Sequence, residues 1–152
     1  MTETDSTLCL ACGLCCDGAL FTQVPLSSEE QARVRRRGLP VLERAQGAVL
    51  QQRCAALDGC RCEIYDERPA ACRGYRCMLL TALGEREVSL AEALVIVGQA
   101  HAAIAEVARA HPGEGSAMQR ARRAPATGAE GLATLQRATA WLGRHFQRDA
   151  GQ

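Results

Sequence analysis

Four cysteines fall within eight residues near the start of the chain, in the run CLACGLCC at positions 9–16. Five more lie within residues 54–77. Thiolates are the metal-binding form of cysteine, and two residues between thiols let one tight turn direct both sulfurs at one ion. The C-x2-C-x2-C run also begins the bacterial 4Fe–4S pattern. The spacing therefore predicts a metal centre and leaves zinc and iron–sulfur both open.

The adjacent pair Cys15 and Cys16 limits how that centre is built. Side chains of consecutive residues usually diverge, so both are not expected to reach one tetrahedral ion without strain. The first block therefore needs a ligand from the second, and a metal would join residues 9–16 to residues 54–77. Gly13 lies in the turn between the second and third cysteines, where we expect a positive φ.

The cellular compartment determines whether the nine cysteines are interpreted as disulfides or as metal ligands. The opening MTETDSTL is acidic and polar, unlike a signal peptide, and no apolar run approaches the roughly 18 residues of a membrane span. We expect a soluble cytoplasmic protein with no membrane association. In a reducing cytosol, clustered cysteines indicate metal binding or catalysis. Nine is also an odd number, which excludes a complete intramolecular disulfide set.

The charge gives little reason to expect a nucleic-acid partner. The formal net charge is +1, and all 18 basic residues are arginine, which suggests a GC-rich bacterial genome. An arginine-bearing stretch at 111–128 is interpreted as a mobile loop. Five arginines are interleaved with the second cysteine block, where they either offset thiolate charge or face water: Arg53, Arg61, Arg68, Arg73 and Arg76.

The segment after the first block is predicted to contain a strand and a helix. Residues 20–26 form the strand, and residues 27–38 form the helix. Ser27 and Glu30 match a capping box at the start of that helix. Gly38 suits its end.

The second block is predicted to lie on a small hairpin and a short helix. The turn signal Asp58-Gly59 separates two strands within residues 48–65. Pro69 then opens a helix that carries the fourth cysteine of the block, with Asp66 as a possible cap.

Two amphipathic helices are predicted in the cysteine-free part, at 89–110 and 130–148. They pack as a hairpin against the cysteine-rich part, and His101 on the apolar stripe is expected to be a core residue. The prediction is one domain of 152 residues, α+β and mainly helical. A cysteine-cluster half with a short β-hairpin (9–80) is covered by a C-terminal helical hairpin (86–150).

The two blocks together resemble the YkgJ-like cysteine-cluster family, whose CxxCxxCC domain is described as zinc- or iron-chelating. The resemblance covers residues 9–80. The matching elements after the first block are Pro25-Leu26, the step from Cys62 to Tyr65, Arg68-Pro69, Cys72-Arg73 and Tyr75-x-Cys77.

This resemblance implies zinc or iron as cofactor and eight metal ligands: Cys9, Cys12, Cys15, Cys16, Cys54, Cys62, Cys72 and Cys77. Cys60 departs from the pattern as an extra thiol. The same pattern occurs in flagellin lysine methylases, which implies iron–sulfur capability, although this chain is much shorter than those enzymes. We also expect Tyr65 and Tyr75 to shield the cluster.

Two hypotheses of different classes remain open. The first is a metal-stabilised binding or metal-handling module. The second is an iron–sulfur redox or enzyme component that acts with a partner protein. No phosphate loop, HExxH or nucleophile elbow is present, so the sequence offers no catalytic motif independent of the metal.

Overall fold

The computed structural model describes residues 1–124 and 128–148 of the chain, and the fold is mainly helical α+β as predicted. The elements follow in the order α1 (Glu3–Cys12), α2 (Leu14–Asp17), β1 (Gln23–Pro25), α3 (Ser28–Arg36), β2 (Val41–Arg44), β3 (Gly47–Gln51), β4 (Leu57–Asp58), β5 (Arg61–Cys62), a 3-10 turn (Tyr65–Glu67), α4 (Ala70–Gly74), α5 (Met78–Gly84), α6 (Leu90–Ala110), α7 (Ala117–Arg123) and α8 (Ala129–His145). The predicted loop and helical region include residues 125–127 and 149–150, which lie outside the described residues.

The predicted helical hairpin is confirmed in α6 and α8, which pack along one another. Their buried side chains include Val97, Ala138 and Leu142, and Phe146 closes the end of the interface. Burial of these apolar surfaces is the main stabilising term. Helices α1, α5 and α7 contribute to the same cluster, which we call the helical core.

The strands form a second, smaller cluster. A three-stranded antiparallel sheet has the order β1-β3-β2, with β3 buried at its centre. Val24, Val34, Leu50 and Ile64 are buried beside it, and we call this cluster the sheet core. Strand β2 was not predicted, and its pairing with β3 gives the sheet its second edge.

The predicted hairpin at 48–65 is only partly correct. Its first strand is β3, which pairs with β1 and β2 and not with the segment after the turn. The Asp58-Gly59 turn does form, and it joins the two-residue strands β4 and β5. Gly59 has φ +58°, which explains the glycine. The sequence signal located the turn but assigned it the wrong partner strand.

Helix α3 begins as predicted, with a capping box formed by Ser27 and Glu30. The same carboxylate has a second role, because its other oxygen accepts a hydrogen bond of 2.7 Å from the Ala70 amide at the start of α4. Helix α4 has no side-chain cap from its own flanking residues, so the expected cap at Asp66 is wrong. Glu30 therefore joins two helices that are 40 residues apart in sequence.

The first cysteine block is helical, which was not predicted. Helix α1 carries Cys9 and Cys12 and ends at Gly13, whose φ of +64° confirms the expected positive φ. Helix α2 then carries the next two cysteines. The helix is therefore interrupted at Gly13, within the C-x2-C-x2-C run.

Residues 111–124 of the basic stretch are not a mobile loop, because α7 lies within them. The Arg120 guanidinium donates hydrogen bonds to the carbonyls of His111, Glu114 and Gly115. The Arg122 guanidinium donates to the Ala19 carbonyl. These hydrogen bonds join α7 to the end of α6 and to the segment that follows the first cysteine block.

Helix α6 is the one helix in the described residues that is long and apolar enough to cross a membrane by length and composition. This corrects the expectation that no apolar run approaches that length. Core helices of soluble proteins pass the same test, so one such helix is weak evidence for a membrane span. About 28% of the apolar window is buried in this structure.

Candidate metal centre

All nine cysteines are free thiols, and all nine line one cavity of about 80 Å³ between the helical core and the sheet core. Cys54 is buried and Cys60 is exposed, while the other seven are half-buried. The two sequence blocks thus converge on one place. The ligand role of the eight family-pattern cysteines remains a prediction, because convergence alone does not demonstrate coordination.

Four thiols lie on the helical side of this cavity, and we call them the helix-side set. Cys9 and Cys12 are on α1, Cys15 is on α2 and Cys77 is the N-cap of α5. Burial is the main cause that raises the pKa of the other three thiols, and a negative charge at Cys77 would raise each of them further, so the four lie within electrostatic reach. Two sequence blocks contribute to this set.

The other four thiols of the family pattern, Cys16, Cys54, Cys62 and Cys72, form the sheet-side set. The Cys54 amide donates a 2.7 Å hydrogen bond to the Cys16 carbonyl. Interaction with Cys62 raises the pKa of Cys16. Burial raises the pKa of Cys72, and negative charge at Cys54 or Cys62 raises it further. Cys16, Cys54, Cys62 and Cys72 pack on the sheet core, whereas Cys9, Cys12 and Cys77 pack on the helical core.

The adjacent cysteines Cys15 and Cys16 therefore fall in different sets. That they do not share one ion stays a prediction. The sets are nevertheless close, because the charge of Cys72 raises the pKa of Cys15. Two four-thiol groups thus share one cavity wall.

Most of these thiols are neutral at pH 7. Burial raises the pKa of both Cys12 and Cys72 from 9.0 to about 12. Burial also raises the pKa of Cys15 well above its usual value. Cys62 is the exception, since the hydrogen bond from the Cys16 thiol stabilises its thiolate and lowers its pKa. Within the sheet-side set, Cys62 is therefore the thiol that loses its proton most readily.

The donor chemistry fits a thiophilic metal, because each set offers four sulfurs. The side chains do not form a closed site: among residues 1–124 and 128–148, no three Cys, His, Asp or Glu groups are arranged to hold an ion. Protonated thiols do not bind metal, so nothing draws these sulfurs together into coordination geometry in the metal-free protein. Closure of either set would require rotation of cysteine side chains about single bonds.

Aromatic and cationic side chains complete the cavity wall. Tyr65 and Tyr75 both line it and both are half-buried, in agreement with the predicted shielding. The Tyr75 ring packs edge-to-face on Phe21 with centroids 5.0 Å apart, and burial raises its pKa to about 12. The Arg68 guanidinium covers the ring of Tyr65 at 3.7 Å from the centroid.

The five interleaved arginines have separate environments. Arg53 pairs with Asp17 at 3.0 Å, and Arg76 lies 3.5 Å from Asp5. Arg61 and Arg73 are exposed, whereas Arg68 is 8% exposed within the cavity wall. Among the five, Arg68 alone is buried.

The histidines lie outside both thiol sets. His101 Nε2 is 2.7 Å from the Cys12 carbonyl oxygen, so it supports the end of α1 as a satisfied core residue. His111 is buried, and its Nδ1 is 3.1 Å from the Val107 carbonyl. His145 was expected to be exposed, but it is half-buried and packs on Trp141 with ring centroids 4.2 Å apart.

Gln119 supports the cavity and was not found from the sequence. Its buried amide donates to the carbonyls of Gly18 and Gln52, at 3.2 and 3.1 Å. It therefore fixes α7 against the segments that follow the first block and precede the second. Nothing in the sequence indicates this role, because the composition around Gln119 is typical of a loop.

A family model for the CxxCxxCC domain, described as a "Putative zinc- or iron-chelating domain", matches residues 8–93. The chain belongs to this family. Neither the curated proteins nor the solved structures contain a significant match to the chain. The family description supports chelation of zinc or iron, and the matched region contains all nine cysteines.

Proposed function

We propose that the protein binds two metal centres, one in the helix-side set and one in the sheet-side set, and serves as a metal-handling module. The observation that carries this proposal is that seven of the eight thiols around one cavity divide between two cores, three on the helical core and four on the sheet core. Cys15 joins the helix-side set because Cys12, Cys77 and Cys9 are its main electrostatic neighbours. Four thiolates are a complete ligand set for one structural zinc ion or one iron–sulfur cluster. The extra thiol, Cys60, belongs to neither set.

The protein backbone supports this division. Gly13 turns α1 into α2 and separates Cys12 from Cys15, and the Cys16–Cys54 hydrogen bond joins the two blocks. Each metal would thus connect the N-terminal helices to the second block. We place the protein in the cytoplasm, since nine free thiols suit a reducing compartment.

The test combines metal analysis with one variant in each set. Protein purified without oxygen is assayed for zinc, iron and acid-labile sulfide, and the same assay is applied to Cys9→Ser and Cys72→Ser. We expect each variant to lose one of two centres and the double variant to lose both. A single variant that abolishes all metal binding would indicate one shared centre and contradict the partition.

A second candidate function is an iron–sulfur redox or enzyme component that acts with a partner protein. The apolar wall beside the thiols favours it, because Leu20, Phe21, Leu79 and Leu80 line the cavity and limit water. Iron and sulfide in equal amounts, with no zinc, would favour this candidate. Zinc without sulfide would favour the metal-handling module.

A further inference from the structure

Arg68 is a buried cation without a charged partner in the described residues. The side chain contacts the Tyr65 ring, and its Nη2 lies 3.5 Å from the Met1 sulfur. No carboxylate in residues 1–124 or 128–148 lies within ion-pair distance of it, and its Nε has no hydrogen-bond partner there. A buried cation of this kind is costly unless an anion compensates it.

The surrounding groups suggest where that anion arises. Arg68 lies in the wall of the thiol cavity, and its charge acts on Cys9 of the helix-side set and on Cys62 and Cys72 of the sheet-side set. Metal binding converts neutral thiols into thiolates. Four thiolates around one divalent ion leave a net charge of about −2, so negative charge appears in this cavity when metal enters.

The hydroxyl of Tyr65 adds a second unpartnered group in the same place. It is buried, and no described residue provides it with a hydrogen bond of good geometry. Its neighbour is the Cys9 thiol, whose thiolate form it stabilises. Donors beside a metal-bound sulfur stabilise it and orient it. Arg68 and Tyr65 thus both line the thiol cavity, and each carries one buried polar atom without a hydrogen-bond partner among the described residues.

We propose that Arg68 is the shared counter-charge of both thiol sets, a positioning residue that stabilises the metal-bound form through its guanidinium and its unused Nε–H. This inference rests on the proposed function and adds to it a residue outside the eight cysteines. Metal binding in both centres would then depend on Arg68, because this one cation compensates the negative charge of both.

The stability of the metal-free protein distinguishes a counter-charge role for Arg68 from a packing role, because the two roles predict opposite effects of replacing this residue. If Arg68 served only to cover Tyr65, its replacement would remove contacts and destabilise the chain with or without metal. If Arg68 is a counter-charge, Arg68→Met removes an uncompensated cation from the metal-free protein while keeping much of the volume. The metal-free variant should then be as stable as wild type or more stable, and the metal-bound variant less stable.

The experiment measures Zn²⁺ affinity by competition with a chromophoric chelator, and the stability of the reduced metal-free protein by urea unfolding. The variants are Arg68→Met, Arg68→Lys and Arg73→Met, the last being an exposed arginine on the same cavity. We expect Arg68→Met to weaken Zn²⁺ binding roughly 10- to 100-fold, as loss of a group behind a metal ligand commonly does. Arg68→Lys keeps the charge but lacks the guanidinium and its Nε–H, so it should weaken Zn²⁺ binding less than Arg68→Met does. Arg73→Met should stay within a few-fold of wild type.

Unchanged Zn²⁺ affinity in Arg68→Met, or loss of its metal-free fold, overturns the proposal. Equal weakening in Arg73→Met also overturns it, because an exposed arginine should not compensate a buried centre. A wild-type protein that binds neither Zn²⁺ nor iron contradicts the proposed function itself, and that result is separate from any comparison between variants.

Discussion

The amide of Cys54 donates a 2.7 Å hydrogen bond to the carbonyl of Cys16, so the two cysteine blocks meet through their backbones. Gln119 reinforces this contact, since its side chain binds the carbonyls of Gly18 and Gln52 nearby. Backbone hydrogen bonds of this kind do not depend on a metal. Metal binding in the sheet-side set then requires mainly side-chain rotation, which lowers the ordering cost of binding.

The turn at Gly13 should not accept a side chain. A Cβ at Gly13 would lie 2.4 Å from the Cys60 carbonyl oxygen, and the φ of +64° adds strain. We expect Gly13→Ala to cost about 2–4 kcal/mol of unfolding free energy, from steric overlap and backbone strain together. Gly59→Ala is the matched control, because its φ is +58° and no atom lies within 4 Å. Urea unfolding measures both, and equal losses would show that the Cys60 contact is unimportant.

Cys60 should be dispensable for metal binding. It is exposed and lies outside both thiol sets. It does line the cavity, and after burial and other causes a negative charge at Cys60 raises the pKa of Cys12. We expect Cys60→Ser to retain the wild-type amount of metal per chain, whereas Cys62→Ser loses the sheet-side centre. Metal content is measured on both variants prepared side by side. A loss in Cys60→Ser as large as that in Cys62→Ser would refute this prediction and give Cys60 a ligand role.

Patterns of local periodicity predicted the long helices correctly. Helices α6 and α8 are amphipathic over many residues, and a capping box at Ser27 or Ser89 fixes a helix start through short-range hydrogen bonds. These features depend only on residues that are close in sequence, so they can be predicted from the sequence alone.

The errors arose where distant residues decide the structure. Strand β3 pairs with β1 and β2, and α4 is capped by Glu30 from 40 residues away. Helix α7 lies in a stretch with glycine and proline nearby, and Gln119 fixes it from inside the fold. The family pattern named eight cysteines, but only their three-dimensional positions divide them into two groups of four.

Glu30 should contribute more stability than its sequence neighbour. Its carboxylate accepts the amides of Ser27 and Ala70 at 2.8 and 2.7 Å. We expect Glu30→Gln to cost about 1.5–3 kcal/mol, the usual value for hydrogen bonds to a charged group. Exposed Glu29, changed to Gln, is the control and should have little effect. Urea unfolding at pH 7 makes the comparison.

The pH dependence of Glu30 follows from the same contacts. The Ala70 and Ser27 amides lower the pKa of this carboxyl below 4.5, so its stabilisation is present above that pH and is lost as the pH falls through the lowered pKa. The difference in unfolding free energy between wild type and Glu30→Gln should therefore shrink in acid. A difference that stays constant below pH 4.5 would contradict this assignment.

The metal-free protein should lose stability in alkali. Burial raises the pKa of Cys12 and Cys72 from 9.0 to about 12, so the folded state retains these protons after the unfolded chain has released them. Their contribution is fully present below pH 9 and is lost between pH 9 and 12. We expect a lower unfolding free energy at pH 10 than at pH 8, with a smaller decrease in Cys72→Ser. Stability that rises over this range would contradict the burial of neutral thiols.

Metal removal should loosen the sheet side more than the helical side. Structural zinc contributes an apparent ~10–16 kcal/mol, comparable to the whole ~5–15 kcal/mol stability of a typical domain. The sheet core is small, and residues 54–74 contain short elements joined by turns. Helix α1 differs, because Leu8 is buried in the helical core together with residues of α6 and α8. We therefore expect α1 to retain its structure although it carries two cysteines.

Hydrogen exchange before and after strong chelation measures this difference under reducing conditions, which exclude disulfides. Fast exchange should appear in residues 54–74 of the stripped protein, while α1, α6 and α8 remain protected, and added zinc should restore the original pattern. The matched control is Cys72→Ser, which should exchange quickly in residues 54–74 even with zinc present, because the sheet-side set is incomplete. If residues 54–74 stay protected after complete metal removal, the hydrogen bonds of Cys54 and Gln119 are sufficient to hold this region, and the metal is not structural.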